Sequence, residues 1–352
     1  MTLMHSIIMG YGHCGKNLHH VCLRKLQVLP TLSELCERVH AVDPQVSSPA
    51  SAHLASHEQL LPPDSIREGV GVVHICTSPA LHLQHVREAL HAGYRYIILE
   101  KPMVISQAQA TELLALQRTF KAHILVVAVW AHSSLIKLMA QRLQASGGGL
   151  AQLQIVHNKP RFSRTLQRHG EHVFDIEMPH QVSLALLLAG DELKLVDAHS
   201  EPLHLDGETR PSMKSGSLCL EGPQGERVRL TSDLSSPTRE RRLSMELEDG
   251  AFCQGYLPVS ADDSYSQFEA YSPSGVRIAG QVLADEPLTT CLEAYYRYFL
   301  ACERGESPLP PLGSSIAFNQ RVVELLEQAR HLADAAAARA VGSIDRPYEL
   351  RA

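Results

Sequence analysis

A run of glycines near the N-terminus, Gly10-Tyr11-Gly12-His13-Cys14-Gly15, constrains this chain more than any other feature. The apolar stretch Ile7-Ile8-Met9 precedes it, and a segment of helical character, residues 16–29, follows. The pattern predicts a strand, a tight turn and a helix. Glycines at this spacing let a backbone turn sharply, approach a pyrophosphate closely and pack helix against strand. The N–H groups at the helix start add partial positive charge for the phosphates.

The same rhythm continues. Residues 39–43 read as a second strand and 71–76 as a buried parallel strand. An amphipathic helix is expected over 81–92, closed by Gly93. A strand at 94–99, a helix at 106–120 with Ser106 as N-cap, and an apolar strand at 123–130 follow. Strands alternating with helices predict an α/β domain over residues 1–130, a doubly wound parallel sheet covered on both faces.

The pattern then changes. After a helix at 135–144 comes a glycine joint, Ser146-Gly147-Gly148-Gly149. Strands are expected at 150–156, 193–199, 217–221, 227–232, 241–247 and 251–257. Gly222-Pro223-Gln224-Gly225 and Glu248-Asp249-Gly250 supply turns between neighbours. Such hairpins predict an α+β domain over 131–340 with a large, mostly antiparallel open sheet. Helices at 288–304 and 314–338, split by Pro308-Leu309-Pro310-Pro311, are expected to pack back on the first domain, with a loosely held tail from Val341.

Composition narrows the function class. A chain of 352 residues, 44% hydrophobic, is long enough for two full cores. A net charge of −6 argues against a nucleic-acid surface. No apolar run approaches a membrane span, and the N-terminus lacks the h-region and cleavage site of a signal peptide. Eight cysteines, at 14, 22, 36, 76, 219, 253, 291 and 302, form no CxxC pair. They read as reduced thiols of a cytoplasmic protein, with neither a disulfide frame nor a metal site. The 20 histidines lack metal-ligand spacing and read as surface or core-satisfied side chains.

Three groups can carry chemistry. Asp43 ends the second strand, where a carboxylate accepts from a ribose 2′-OH and repels a 2′-phosphate. The following Pro44-Gln45 offers no base to such a phosphate, so NAD is favoured over NADP. Thr77-Ser78-Pro79 and Glu100-Lys101-Pro102 sit at the ends of strands, the edge at which parallel sheets bind ligands. Pro102 is a position for a cis bond.

Taken together, Gly10 to Gly15, Asp43, Thr77-Ser78-Pro79-Ala80-Leu81-His82 and Glu100-Lys101-Pro102 resemble the Gfo/Idh/MocA family of glucose–fructose oxidoreductase and inositol dehydrogenase relatives. The resemblance implies a Rossmann domain binding NAD through Gly10, Tyr11, Gly12, His13, Cys14, Gly15, Asp43, Thr77, Ser78, Pro79, His82, Glu100, Lys101 and Pro102. It also implies a catalytic histidine at a helix start in the second domain. The similar segment here is residues 175–182, with Pro179 at the first helical position and His180 ten residues before Gly190. In the first turn the macrodipole disfavours imidazolium, and a neutral imidazole is what a general base needs. The sequence departs from the family at Ile176 and Ser183, where aspartates are usual, so Asp175 and Glu177 compete as partner of His180.

Around these, Lys159, Arg161 and Arg164 offer positive charge to a substrate phosphate or carboxylate, and Trp130 an aromatic face. The resulting expectation is a dehydrogenase. His180 takes a hydroxyl proton, Lys101 holds the alcohol oxygen and NAD accepts the hydride from a sugar, sugar phosphate, amino sugar or cyclitol. An NAD-dependent glycosidase working by transient oxidation and a non-catalytic dinucleotide sensor are the alternatives. A homodimer or homotetramer through the C-terminal sheet is expected.

Overall fold

Strand β1 (Met4–Met9) is buried along almost its whole length, as a strand covered on both faces must be. It runs parallel to β2 (Val39–Val42) on one side and β4 (Val70–Ile75) on the other. With β3 (Leu54–His57), β5 (Tyr96–Leu99) and β6 (His123–Val126) it forms a six-stranded parallel sheet in the order β3-β2-β1-β4-β5-β6. The computed structural model describes residues 3–45, 53–65, 69–147, 149–260 and 263–344. Gly148 of the expected joint, and residues 345–352 of the expected tail, lie outside the described residues.

The strand order reverses between β1 and β4, and doubly wound sheets bind ligands beyond the strand ends at such a point. A π turn (Gly15–His19) leads from the glycine run into α1 (His20–Leu26). The helices α2 (His82–His91) and α3 (Gln107–Phe120) follow β4 and β5. Ser106 caps α3, its Oγ accepting the Gln109 N–H at 3.4 Å. On one face of the sheet Val86, Ala89, Ala110 and Leu113 cover Ile7, Val73 and Ile97. On the other, Leu23 and Leu26 of α1 pack with Ile8 and with Tyr295, Tyr296 and Phe299 of α7 (Pro287–Glu303). The expected strand at 123–130 stops at Val126. A 3-10 turn (Val129–His132) follows, and the Tyr295 hydroxyl accepts the Ala128 N–H at 3.1 Å beside it.

The chain divides into two compact units that interleave along the sequence. One comprises Met1–Leu138, Ser260–Ser266 and Leu283–Val323, the other Met139–Val259, Gln267–Val282 and Glu324–Ala352. The second holds an eight-stranded sheet centred on β7 (Leu150–Asn158). β7 pairs parallel with β10 (Arg227–Asp233) and antiparallel with β11 (Glu240–Leu247). Beyond β10 come β9 (Glu208–Glu221) and β8 (Lys194–Leu205); beyond β11 come β12 (Phe252–Tyr256), β13 (Tyr265–Tyr271) and β14 (Arg277–Ala284).

Sequence reasoning placed two short strands at 193–199 and 217–221. They are parts of one long hairpin, β8–β9, that turns at Asp206-Gly207. Three strands, β3, β13 and β14, had not been expected at all. After α4 (Ser134–Ala145) and the short α5 (Phe162–Gln167), helix α6 (Met178–Ala189) is seated on the sheet by Gln181, whose Nε2 donates to Thr231 O at 2.7 Å and Ile155 O at 3.3 Å. The last helix, α8 (Ile316–Ile344), outruns the 314–338 expected for it.

Candidate functional site

The three glycines of the N-terminal run do three different things. Gly10 adopts φ +86, and a Cβ there would lie 2.7 Å from Thr77 Cγ2 and 2.9 Å from Thr77 N. It lets the end of β1 lie against the end of β4. A Cβ at Gly15 would lie 2.3 Å from Gly10 O, so this glycine lets the helix close on the strand. A Cβ at Gly12 would meet no atom within 4 Å. The middle glycine thus faces open space at the start of the helical turn, where Lys16 N donates to Gly12 O at 2.9 Å. That is the cradle a pyrophosphate needs, and the residues present fit a dinucleotide.

Asp43 is fastened to this cradle. Its Oδ2 accepts the Tyr11 N–H and its Oδ1 the Gln45 N–H, both at 2.9 Å, while Gly10 N donates to Val42 O at 2.9 Å. The carboxylate therefore lies beside the loop, where a ribose is expected. The Tyr11 side chain is 3% exposed and bonds to His20 Nδ1, so it is held in the core while its N–H holds Asp43.

Glu100, Lys101 and Pro102 follow β5, and the Lys101–Pro102 peptide is cis. Glu100 Oε2 accepts the Lys101 N–H at 3.0 Å, and Oε1 accepts from His19 Nε2 at 2.9 Å. His82 is fully buried, with its ring nitrogens 3.0 Å from Pro102 O and 3.2 Å from Thr77 O. It is a strut between two loops and offers no face to a ligand. Thr77 Oγ1 pairs with His85 Nδ1 at 2.9 Å, and Ser78 precedes the 3-10 turn Pro79–Leu81.

Cys14, His19 and Cys76 bring one ligand atom each to within 4.8 Å of one another. His19, however, already commits both ring nitrogens, to Glu100 and to His74 Nδ1 at 2.8 Å, and has no lone pair for a metal while those bonds stand. The Cys14 thiol is pushed up by its bond to Cys76 and by burial, and burial raises Cys76 likewise, so both remain thiols.

In the other unit, α6 opens with Met178, Pro179 and His180, one residue earlier than expected. The His180 N–H donates to Glu177 O at 3.1 Å, and its side chain is half-buried. Glu177 is 4% exposed and accepts from Lys159 Nζ. His157 Nδ1 lies 3.5 Å and Arg241 Nε 3.9 Å from its second oxygen. Burial lowers His157, so its imidazole stays neutral. Asp175 is bound by Arg330 of α8. Burial raises the Asp175 pKa, and the guanidinium works against that rise.

A family model described as an oxidoreductase family with an NAD-binding Rossmann fold, GFO_IDH_MocA, matches residues 4–128. Residues 4–128 are thus an NAD-binding Rossmann domain of that family. No curated protein matches. Among solved structures the chain is similar to KijD10, a 3-ketoreductase from Actinomadura kijaniata in complex with NADP and TDP-benzene. The identity is 15% and the TM-score 0.73, with 95% of this chain and 98% of that chain covered. It is also similar to the UDP-N-acetylglucosamine 3-dehydrogenase GnnA from Acidithiobacillus ferrooxidans, at 17% identity and a TM-score of 0.70, over 95% and 99% of the two chains. At these identities the likeness is one of fold. The match gives residues 4–128 an NAD(P)-binding domain of the oxidoreductase type.

The Gfo/Idh/MocA motifs thus meet at one sheet edge: the glycine loop, Asp43, Thr77 and the Glu100-Lys101-Pro102 turn. Other expected contacts have different partners. Trp130 is 7% exposed, in the core rather than on a surface. Arg161 is 8% exposed and paired with Glu171 at 2.8 Å, which leaves Arg164 as the exposed member of that cluster. Sequence reasoning missed His19 and His74, having set the histidines aside as bland. The available signal was the position of His19 one helical turn past the glycine loop, where a side chain points back at the neighbouring strand.

Proposed function

We propose that the protein is an NAD-dependent dehydrogenase that oxidises a secondary hydroxyl on the sugar of a sugar nucleotide. The observation that carries this reading is the glycine cradle with Asp43 fastened beside it and Lys101 held at the same sheet edge. When bound, the dinucleotide supplies the hydride acceptor. Lys101 donates a hydrogen bond to the substrate oxygen and stabilises the negative charge growing on it. His180, at the start of α6, takes the hydroxyl proton.

The Asp43 carboxylate supports NAD over NADP, because it would meet a 2′-phosphate with like charge. Sugar nucleotides are favoured among sugar, sugar phosphate, amino sugar and cyclitol substrates on two grounds. The similar 3-ketoreductase and 3-dehydrogenase carry a TDP compound or are named for a UDP-sugar. Lys159 and Arg241 also place positive charge beside the start of α6, as a diphosphate ester requires.

Exposed apolar side chains on β12 and the edge strand β14, Tyr256, Ile278 and Val282, support a homo-oligomer through the eight-stranded sheet, which sedimentation would test. Eight free thiols fit action in the cytoplasm. Among the described residues no helix is long and apolar enough to cross a membrane.

The deciding experiment follows NADH and NADPH formation in parallel over sugar nucleotides, sugar phosphates, amino sugars and inositols. Turnover of a nucleotide sugar with NAD is the expected result. Tight dinucleotide binding with no turnover over the whole panel would favour a sensor. Glycoside cleavage without added dinucleotide would favour the transient-oxidation glycosidase.

A further inference from the structure

A line of hydrogen bonds crosses the interior of the first unit. Ser6 Oγ meets Tyr296 OH at 2.6 Å, and Tyr296 OH meets His74 Nε2 at 2.8 Å. His74 Nδ1 meets His19 Nδ1 at 2.8 Å, and His19 Nε2 meets Glu100 Oε1 at 2.9 Å. Ser6, Tyr296, His74 and His19 are fully buried. The line ends on the carboxylate that accepts the Lys101 N–H.

Its proton arrangement can be worked out. An ionised carboxylate only accepts, so His19 Nε2 carries a proton. A His19 that is also protonated at Nδ1 donates to His74. His74 then donates from Nε2 to Tyr296, and Tyr296 donates to Ser6. Every group has a partner, and Glu100, its side chain 12% exposed, has the His19 ring as a counter-ion in addition to the Lys101 charge. With a neutral His19 the line reverses, and the charge of Glu100 must be balanced by Lys101, the group expected at the substrate oxygen.

The groups facing His19 are Cys14 and Cys22 from its own helical segment, His74 and Cys76 from β4 and its end, and Glu100 after β5, with the Lys101 charge acting on Glu100. Cys14 is raised by its bond to Cys76 and by burial, burial raises Cys22 and Cys76, and His74 is lowered by burial and by the His19 charge, leaving these groups neutral. Burial alone would lower His19; the groups around its ring, of which the Glu100 carboxylate is the charged one, outweigh this and hold it up. Burial alone would raise Glu100, and the His19 ring holds it down instead.

We propose that His19 is a positioning residue, a buried imidazolium that fixes the Glu100 carboxylate and through it the backbone of Lys101, with His74, Tyr296 and Ser6 holding its second nitrogen. Its bearing on catalysis rests on the reading that Lys101 meets the reacting oxygen.

The test uses the full chain labelled with nitrogen-15. Two protonated ring nitrogens of His19, identified by their loss in His19→Gln, are expected to persist from about pH 6 to 8.5. The Lys101 amide, which donates to Glu100, reports the charge of that carboxylate. It is expected to stay flat over this range in the wild type and to titrate in His19→Gln, where a largely buried carboxylate that has lost its imidazolium partner takes up a proton more readily. Glu100→Gln in the His19→Gln background should remove that titration. With UDP-N-acetylglucosamine and NAD, His19→Gln should lower kcat about tenfold near pH 8, and further toward pH 6, with little change in KM. A singly protonated His19 ring at neutral pH, or Lys101 amide curves that coincide in wild type and His19→Gln, would overturn the inference. Absence of turnover in the wild type counts against the proposed function alone, because the nitrogen-15 measurements decide the role of His19 without it.

Discussion

The carboxylates of Glu100 and Glu177, one in each unit, are neutralised in opposite ways. Glu100, beside the glycine loop, has one imidazole partner, and that imidazole is itself tied into a single file of side chains. Glu177, before α6, sits among Lys159, His157 and Arg241, so one negative charge faces two cations and a neutral ring. Pairing one to one costs desolvation and returns geometry. A carboxylate outnumbered by cations instead leaves positive charge to meet a ligand. The first arrangement suits a residue that must be held still, the second a surface that must attract an anion.

That contrast can be broken at four points. Lys101→Met should reduce turnover by about 10³-fold in steady-state assays while dinucleotide binding, followed by fluorescence, survives. Unchanged turnover would remove Lys101 from the mechanism.

His19→Gln should cost about 3 kcal/mol in urea unfolding near pH 6, because it leaves a buried carboxylate without its partner. The pH dependence has a definite sign. The His19 pKa is raised in the folded state to about 10, so its contribution is complete below the unfolded value of about 6.5 and fades as pH rises toward 10. Glu100 is depressed to about 2, so its contribution holds above about 4.5 and is lost as pH falls toward 2. The gap between wild type and His19→Gln should therefore be widest between about pH 4.5 and 6.5 and narrow on the alkaline side. A gap that stays constant to pH 10 would count against the buried ion pair.

His180→Ala should lower kcat about 10²-fold and flatten the rise in activity from neutral to alkaline pH. A pH profile identical in shape to wild type would exclude it as the base. The smallest effect separates two neighbouring glycines. Gly15→Ala should destabilise by about 2 kcal/mol, because its Cβ runs into the Gly10 carbonyl. Gly12→Ala should leave thermal stability nearly unchanged and weaken dinucleotide binding about tenfold in calorimetry. Equal stability losses in both would undo the assignment of one glycine to packing and the other to the ligand.

How far the sequence was legible follows from distance along the chain. The glycine loop, Asp43, the Thr77 turn and the Glu100 turn are short contiguous patterns, each set by local backbone demands, and each lies where the spacing put it. The first sheet was read closely for the same reason, apart from β3, whose Leu54-Ala55-Ser56-His57 carries no β-branched residue. The second sheet was harder. The β8–β9 hairpin hid behind polar and exposed residues on both faces, and β14 is exposed along nearly its whole length, so neither gave a clean alternation. Charge partners were least legible of all. Asp175 meets Arg330 across 155 positions and His74 meets Tyr296 across 222, separations at which no local pattern carries a signal.

The late arrival of α7 has a consequence for how this protein comes into being. During synthesis the nucleotide-binding sheet leaves the ribosome long before Tyr295, Tyr296 and Phe299 are made, so Ser6 and His74 must wait, unsealed, for the last sixth of the polypeptide. A fragment cut at the apparent end of the first domain would carry every phosphate-binding glycine and still lack the plug of its own interior. Supplying residues 283–323 as a separate peptide should make such a fragment soluble and competent to hold a dinucleotide.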